Sequence, residues 1–192
     1  SFITSVEPRL SPALYFNRQN YLNPRFVTMN YLETLFAQKS WANHELFNAL
    51  AAIPDDANKE AITTATRTLN HIYVVDEIFR AHLCGRQSQF TATNTSETPD
   101  LGQLHFSVAE TDDWYLQYVK QLPKNEINQV IQFRFTDGDT GEMTREEMLF
   151  HVITHGAYHR GNVGQILKSI SVAPPRDLLT KFLHMTEPER RW

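Results

Sequence analysis

Four long segments with helical periodicity dominate the sequence. Their apolar residues recur at intervals of three and four, the spacing of one face of an α-helix. The predicted helices cover about residues 29–53, 59–84, 100–122 and 144–169. Helix-breaking residues follow them in turn: Pro54, Gly85, Pro123 and the Pro174-Pro175 pair. Proline cannot continue a helix and glycine favours a helix end, so this pattern predicts an all-α fold, a four-helix bundle.

The connections predict shorter elements. Residues 128–142 alternate apolar and polar side chains around Asp137-Gly138, which predicts a short extended arm before the last long helix. Thr144 and Glu147 have the spacing of a capping box at the start of that helix. A closing helix is expected over about residues 176–184. The polar loop of residues 86–99 could span about 45 Å, enough for helix three to run parallel to helix two.

The chain is long enough for one domain with a sizeable core. It has 192 residues, of which 41% are hydrophobic. Residues 1–28 contain three prolines and no sustained periodicity, and we expect an irregular N-terminal extension there. We expect residues 29–192 to form a single helical domain.

Composition argues against several classes of partner. Lys and Arg total 18 against 22 Asp and Glu, and the two signs are interspersed, so we expect no nucleic-acid partner. No apolar run approaches the roughly 20 residues of a membrane-spanning helix. The single cysteine, Cys84, cannot form an intramolecular disulfide, which favours a reducing compartment and a cytoplasmic location.

Three histidines are spaced by four residues in the last long helix. The stretch "HVITHGAYHRGN" places them at His151, His155 and His159. Histidines four apart lie about 6 Å apart along a helix axis, close enough for two imidazoles to bind one ion. His151 and His159 lie about 12 Å apart, so only one pair can serve a given ion. A zinc metalloprotease needs glutamate directly after the first histidine, and this chain has valine or glycine there.

Helix two supplies a candidate third ligand. His71 lies in the middle of that helix, where it can face a neighbouring helix. His82 lies about 16 Å further along the axis and cannot share the same ion. Spacing alone does not distinguish metal ligands from neutral histidines that hydrogen-bond to carbonyl groups.

An ordered series of motifs resembles the DinB/YfiT-like family. The motifs are "WANHELFNALAAIP", "TLNHIYVVDEIFRAHLCG", "TDGDTGE", "HVITHGAYHRGNVGQIL" and "PPRDLL", over about residues 29–184. The resemblance implies an up-down-down-up bundle, often a homodimer, with a metal bound by His71, His155 and His159. His151 would then lie outside the ligand set. The family commonly has glutamine where this chain has Asn162.

The resemblance also implies a class of chemistry. Three imidazoles leave a fourth position for water or substrate, as in catalytic zinc sites. Zinc or nickel is the expected ion, with manganese or iron as alternatives. Relatives in the wider superfamily use low-molecular-weight thiols such as bacillithiol or mycothiol. We therefore expect a metal-dependent hydrolase or thiol transferase for a small molecule, with metal-bound water as the reactive group. Tyr158 is a candidate pocket residue and hydrogen-bond donor, with a tyrosine of the helical core as the equal alternative.

Two other functions stay open. One is a non-catalytic metal-binding stress-response dimer in which a fourth protein ligand closes the site. The other is a bundle whose histidines are purely structural.

Side chains around the histidines lead to further expectations. Asp76 or Glu77 could accept a hydrogen bond from a ligand histidine, although an exposed ion pair between Asp76 and Arg80 is favoured. Trp41 is expected to be a packing anchor and His44 to face solvent.

Overall fold

Helices make up most of the structure. The computed structural model describes residues 30–54 and 58–190, and the predicted extension of residues 1–28 lies outside the described residues. The long helices are α1 (Tyr31–Ala51), α2 (Lys59–Leu83), α3 (Leu101–Gln121) and α4 (Arg145–Ser169), followed by α5 (Leu179–Thr186) and a 3₁₀ turn (Pro188–Arg190). The four predicted long helices are confirmed to within two residues at each end. None of the helices in the described ranges has both the length and the apolar character needed to cross a membrane.

The extended arm is a two-stranded hairpin rather than a single extended segment. Strands β1 (Val130–Arg134) and β2 (Thr140–Thr144) pair antiparallel, with Val130 opposite Thr144. The reversal uses Asp137-Gly138, and Gly138 has a φ of 99°, a conformation that glycine adopts without strain. The sequence pattern had predicted only the extended character of this region.

The N-terminus of α4 is capped as the sequence predicts. The Thr144 hydroxyl accepts a hydrogen bond from the Glu147 main-chain N–H at 3.1 Å. The Glu147 carboxylate accepts one in return from the Thr144 main-chain N–H at 2.7 Å. This capping box satisfies two N–H groups that a free helix end would leave unpaired, so it fixes where the histidine-bearing helix begins.

The two largest apolar clusters of the core lie at different levels along the helices, and a smaller third cluster joins α1 to α5. Helix α1 packs against α3 and α4, and α2 packs against the same two helices. One cluster includes Phe36, Phe79, Tyr115 and Met148. The other includes Phe47, Leu69, Leu104 and Leu167. Between these levels, each long helix contributes buried polar or charged residues.

We call these residues the polar layer. Its members are Lys39 and Asn43 on α1, Asp76 on α2, Asp112 on α3 and Arg160 on α4. The Lys39 ammonium group is completely buried and lies 2.7 Å from Asp76 Oδ2 and 2.6 Å from Asp112 Oδ1. The Asn43 amide donates to Asp112 Oδ2 at 2.7 Å. One cation therefore connects three helices.

Arg160 extends the polar layer to α4 and to the segment before α5. Its Nη1 donates to Asn43 Oδ1 at 3.3 Å, and its Nε donates to Asp177 Oδ2 at 2.7 Å. Gln38 donates to the other Asp177 oxygen. Each of the four long helices thus contributes at least one side chain to the polar layer.

Burial dominates the ionisation of Asp76. Its pKa is raised from 3.8 to about 6 because desolvation disfavours the carboxylate more than Lys39 favours it. Its Oδ1 atom is buried and has no hydrogen-bond partner among the described residues. A proton on Asp76 would reduce the excess negative charge of two carboxylates that share one lysine.

The Asp76 carboxyl predicts a pH-dependent contribution to stability. The folded state binds its proton more tightly than the unfolded chain does, so this contribution is complete below pH 4 and is lost as the pH rises through 6. Asp76→Asn removes it. We expect the unfolding free energy of the wild type, relative to Asp76→Asn, to fall by on the order of 2 to 3 kcal/mol from pH 4 to pH 7 in urea titrations.

Asp113→Asn is the matched control, because Asp113 is the exposed neighbour of Asp112 on the same helix. The difference in unfolding free energy between the wild type and Asp113→Asn should vary much less with pH. If the unfolding free energies of the wild type and Asp76→Asn differ by the same amount from pH 4 to pH 7, the raised pKa of Asp76 is contradicted.

Candidate metal centre

Three histidines from two helices lie close together. His71 comes from α2, and His155 and His159 come from α4. One ring nitrogen from each can be chosen so that all three lie within 4.8 Å of one another. The Nε2 atoms of His71 and His155 are 3.0 Å apart. The structure therefore brings together the three residues that the resemblance singles out, although they are 84 and 88 positions apart in sequence (155 − 71 and 159 − 71).

Helix geometry accounts for the convergence. His155 and His159 are one turn apart on α4, and their ring centroids are 4.5 Å apart. The His71 ring lies edge-on to both, with centroid distances of 4.9 Å to His155 and 4.6 Å to His159. All three side chains are partly buried, so the cluster lies in the seam between α2 and α4 rather than in either apolar cluster.

A main-chain carbonyl orients His71. The Nδ1 atom of His71 lies 2.7 Å from the carbonyl oxygen of Thr93, in the loop between α2 and α3. A carbonyl can only accept, so Nδ1 carries the hydrogen and Nε2 presents its lone pair to the other histidines. Metal-bound histidines usually have such a partner on the nitrogen that does not face the metal.

His155 and His159 are biased towards the neutral form that metal ligands require. Burial lowers the pKa of His155 to about 3, and repulsion from His159 and His71 acts in the same direction. Burial also lowers the pKa of His159, assisted by His71. Without an ion, the His155 Nε2–H donates to His71 Nε2. The Nδ1 atom of His155 is then buried without a hydrogen-bond partner in the part of the chain that the structure describes.

Asn162 lies beside the third histidine. Its amide nitrogen is 3.5 Å from Nδ1 of His159, one turn away on α4. This is the outer limit of a hydrogen bond. The asparagine that replaces the family's usual glutamine therefore still reaches the ligand cluster.

The neighbouring candidates have distinct positions. Tyr158 is 69% exposed, and its ring lies edge-on to His159 at 5.0 Å, so it borders the cluster from the solvent side. His151 stacks on Phe79 at 4.5 Å and on His155 at 5.4 Å, and it lies outside the group of three as expected. His82 packs against Phe133 from the hairpin at 4.8 Å.

The prediction that Asp76 or Glu77 accepts a hydrogen bond from a ligand histidine is wrong. Asp76 is buried against Lys39 rather than paired with Arg80 at the surface. Arg80 instead pairs with Glu77, at 3.0 Å. The carbonyl of Thr93 takes the position beside His71 that a carboxylate was expected to fill.

On α1, one expectation is confirmed and one is corrected. Trp41 is buried and packs against Phe182 of α5, as expected for an anchor. His44 was expected to face solvent, but it is only partly exposed. Its Nδ1 lies 3.1 Å from Nε2 of His105, whose ring stacks on Phe47.

The polar layer has a signal in the sequence, which is a charged residue on the apolar face of a helix. Lys39, Asp76 and Asp112 each occur at helical spacing from buried apolar residues of their own helix. A charge on the apolar face of a helix requires a buried partner, and three such faces with opposite charges predict a network. Thr93 acts through its carbonyl, a group present in every residue, so no side-chain pattern identifies it.

The three imidazoles are a donor set that suits a divalent ion. Zinc and nickel accept imidazole nitrogen, and manganese and iron do so as well. Two of the histidines favour the neutral form, and the third has its lone pair directed into the cluster. The residues present therefore fit a metal ion held at this seam.

Comparisons with known proteins identify the family of the chain. A family model described as "DinB family" matches residues 26–191. Protein DinB of Bacillus subtilis (strain 168) is 25% identical over 169 residues, which cover 81% of this chain and 95% of that relative. The match extends over the helices that carry the histidines, and the chain belongs to the DinB family.

Proposed function

We propose that this protein binds one divalent metal ion through His71, His155 and His159, and that it acts on a small molecule as a metal-dependent hydrolase or thiol transferase. The observation that carries the proposal is the convergence of three ring nitrogens within 4.8 Å. Family membership supports it independently.

The number of protein ligands favours chemistry over a purely structural ion. The histidine group has three members among the described residues, and a four-coordinate ion would keep one position for water or substrate. A divalent ion held there would supply Lewis acidity, which lowers the pKa of a bound water or thiol. The chain's own contribution is to present three imidazoles in a partly buried seam, with Tyr158 at its solvent edge.

The proposed bundle order fits this site. We infer an up-down-down-up arrangement, supported by the order in which the helices enter the two largest apolar clusters: α1 and α4 begin in the cluster of Phe36 and end in that of Phe47, whereas α2 and α3 run from the second cluster to the first. The loop of residues 84–100 could span more than about 50 Å when extended. Helix α2 has 25 residues and is about 38 Å long, so this loop can return the chain to the other end of the bundle. The proposed homodimer and the thiol substrate class follow from the family resemblance.

Metal content tests the ligand assignment. Protein purified without a histidine tag or chelator should contain close to one equivalent of zinc or nickel by mass spectrometry. His71→Ala and His159→Ala should lose most of the metal, because two imidazoles bind an ion much more weakly than three. His151→Ala is the matched control and should retain the metal, since His151 lies on the same helix outside the group of three.

A metal-free wild type, even after incubation with zinc and nickel, would refute the metal site. The 3.0 Å contact between His71 and His155 would then be a structural hydrogen bond.

Activity tests the reaction class. Metal-loaded protein should hydrolyse a small ester or amide, or join a low-molecular-weight thiol to an electrophile. Treatment with a chelator should abolish the reaction and added metal should restore it, whereas His71→Ala should be inactive in both conditions. Full metal content without turnover in either assay would favour the non-catalytic metal-binding dimer.

A further inference from the structure

The loop that orients His71 is fastened to α2 by a set of polar side chains. Asn70 donates to Thr95 Oγ1 at 2.7 Å and to the side-chain oxygen of Asn94. The Asn94 amide donates back to the main-chain carbonyl of Arg67 at 3.0 Å. The Arg67 guanidinium donates to the main-chain carbonyl of Thr95 at 3.0 Å. We call these four residues, Arg67, Asn70, Asn94 and Thr95, the loop clasp.

The loop clasp lies directly beside the hydrogen bond between His71 and Thr93. Asn70 precedes His71 on α2, and Asn94 follows Thr93 in the loop. The hydrogen bond between Asn70 and Asn94 is therefore one residue from the His71–Thr93 hydrogen bond, both on α2 and in the loop. Asn70 is only 2% exposed, so its amide is withdrawn from solvent to make these bonds.

The loop clasp also shapes the loop itself. Asn94 Oδ1 accepts a hydrogen bond from the Thr95 main-chain N–H at 2.9 Å, and the Thr95 hydroxyl donates to the Glu97 carbonyl at 2.7 Å. These short-range bonds restrict the backbone immediately after Thr93. Among the described residues, the side chains that place the Thr93 carbonyl form their hydrogen bonds with α2 and the loop rather than with the histidines of α4.

We propose that the loop clasp is a positioning device that fixes the Thr93 carbonyl against Nδ1 of His71 and thereby selects the tautomer with a free Nε2. The relevance to metal binding rests on the proposed function, but the tautomer is a property of the metal-free protein as well.

The physical reason is that a neutral imidazole has two tautomers. Only the tautomer with hydrogen on Nδ1 leaves Nε2 free to bind an ion. A carbonyl acceptor at Nδ1 selects it, but only if the backbone holds that carbonyl in place. A loop ordered in advance also avoids an entropy loss on metal binding.

The test uses variants of the loop clasp that leave all three histidines intact. Asn94→Ala removes the hydrogen bonds to Arg67 and Asn70 on α2 and the one to the Thr95 main-chain N–H within the loop. Thr95→Val removes the hydroxyl at nearly constant volume, and Thr95→Ser keeps it, so these two form a matched pair. Thr93→Ala keeps the main-chain carbonyl and is the loop control.

Two measurements separate positioning from general stability. The first is a ¹⁵N nuclear magnetic resonance spectrum of the histidine ring nitrogens in metal-free protein, which reports the His71 tautomer. The second is the zinc dissociation constant from chelator competition. We expect Asn94→Ala and Thr95→Val to lose the Nδ1–H form of His71 and to raise the dissociation constant at least about tenfold. Thr95→Ser and Thr93→Ala should resemble the wild type.

Two results would overturn the inference: hydrogen on Nε2 of His71 in the wild type, or an unchanged tautomer and zinc affinity in Asn94→Ala and Thr95→Val. Failure of the proposed function is a separate result. If the wild type shows the Nδ1–H tautomer but binds no zinc, the metal site is wrong, and the tautomers of the variants alone decide whether the loop clasp positions His71.

Discussion

The ammonium group of Lys39 is buried completely and is held by carboxylates from two other helices. Removing a charge from water costs several kcal/mol, and close opposite charges offset that penalty only while the geometry is kept. A shift of α1 by one turn, about 5.4 Å, would separate Lys39 from Asp76 and Asp112. Apolar side chains tolerate sliding better than a buried ion pair does. The polar layer therefore determines how α1, α2 and α3 are aligned along their axes.

The same layer approaches the histidine cluster through Gly156. A Cβ atom at this position would lie 3.0 Å from Arg160 Nη1 and 3.3 Å from Lys39 Cε. Because Gly156, the residue after His155, has no side chain, both cationic side chains can lie close to the backbone of α4 at this position. Ile72, which follows His71, is the next nearest neighbour at 3.8 Å. The helix turn that presents His155 to His71 is thus the turn against which the buried charges pack.

The sequence predicted the elements that depend on local patterns. Helical spacing and breaking residues located α1 to α4, and the pair Thr144 and Glu147 located the start of α4. The spacing of His155 and His159 indicated a possible pair of ligands, and the family resemblance selected His71 as the third. Local pattern did not reveal that the extended arm doubles back, although Asp137-Gly138 is a common hairpin turn.

Features that depend on contacts between distant segments were missed. Asp76 was expected in an exposed ion pair with Arg80 on the same helix, whereas its partner in space is Lys39 on another helix. The acceptor for His71 was sought among acidic side chains, but the loop supplies a main-chain carbonyl. A carbonyl has no residue-specific signature, and only the folded position of the loop makes it available.

The most direct test of a three-histidine metal centre is a crystal structure of the zinc-loaded protein with anomalous diffraction measured on both sides of the zinc absorption edge. We expect one strong anomalous peak between α2 and α4, with nitrogen ligands from His71, His155 and His159 at about 2.0 to 2.1 Å and one further position held by water. A peak elsewhere, or a zinc-soaked crystal in which His71 and His155 keep their direct hydrogen bond, would contradict it.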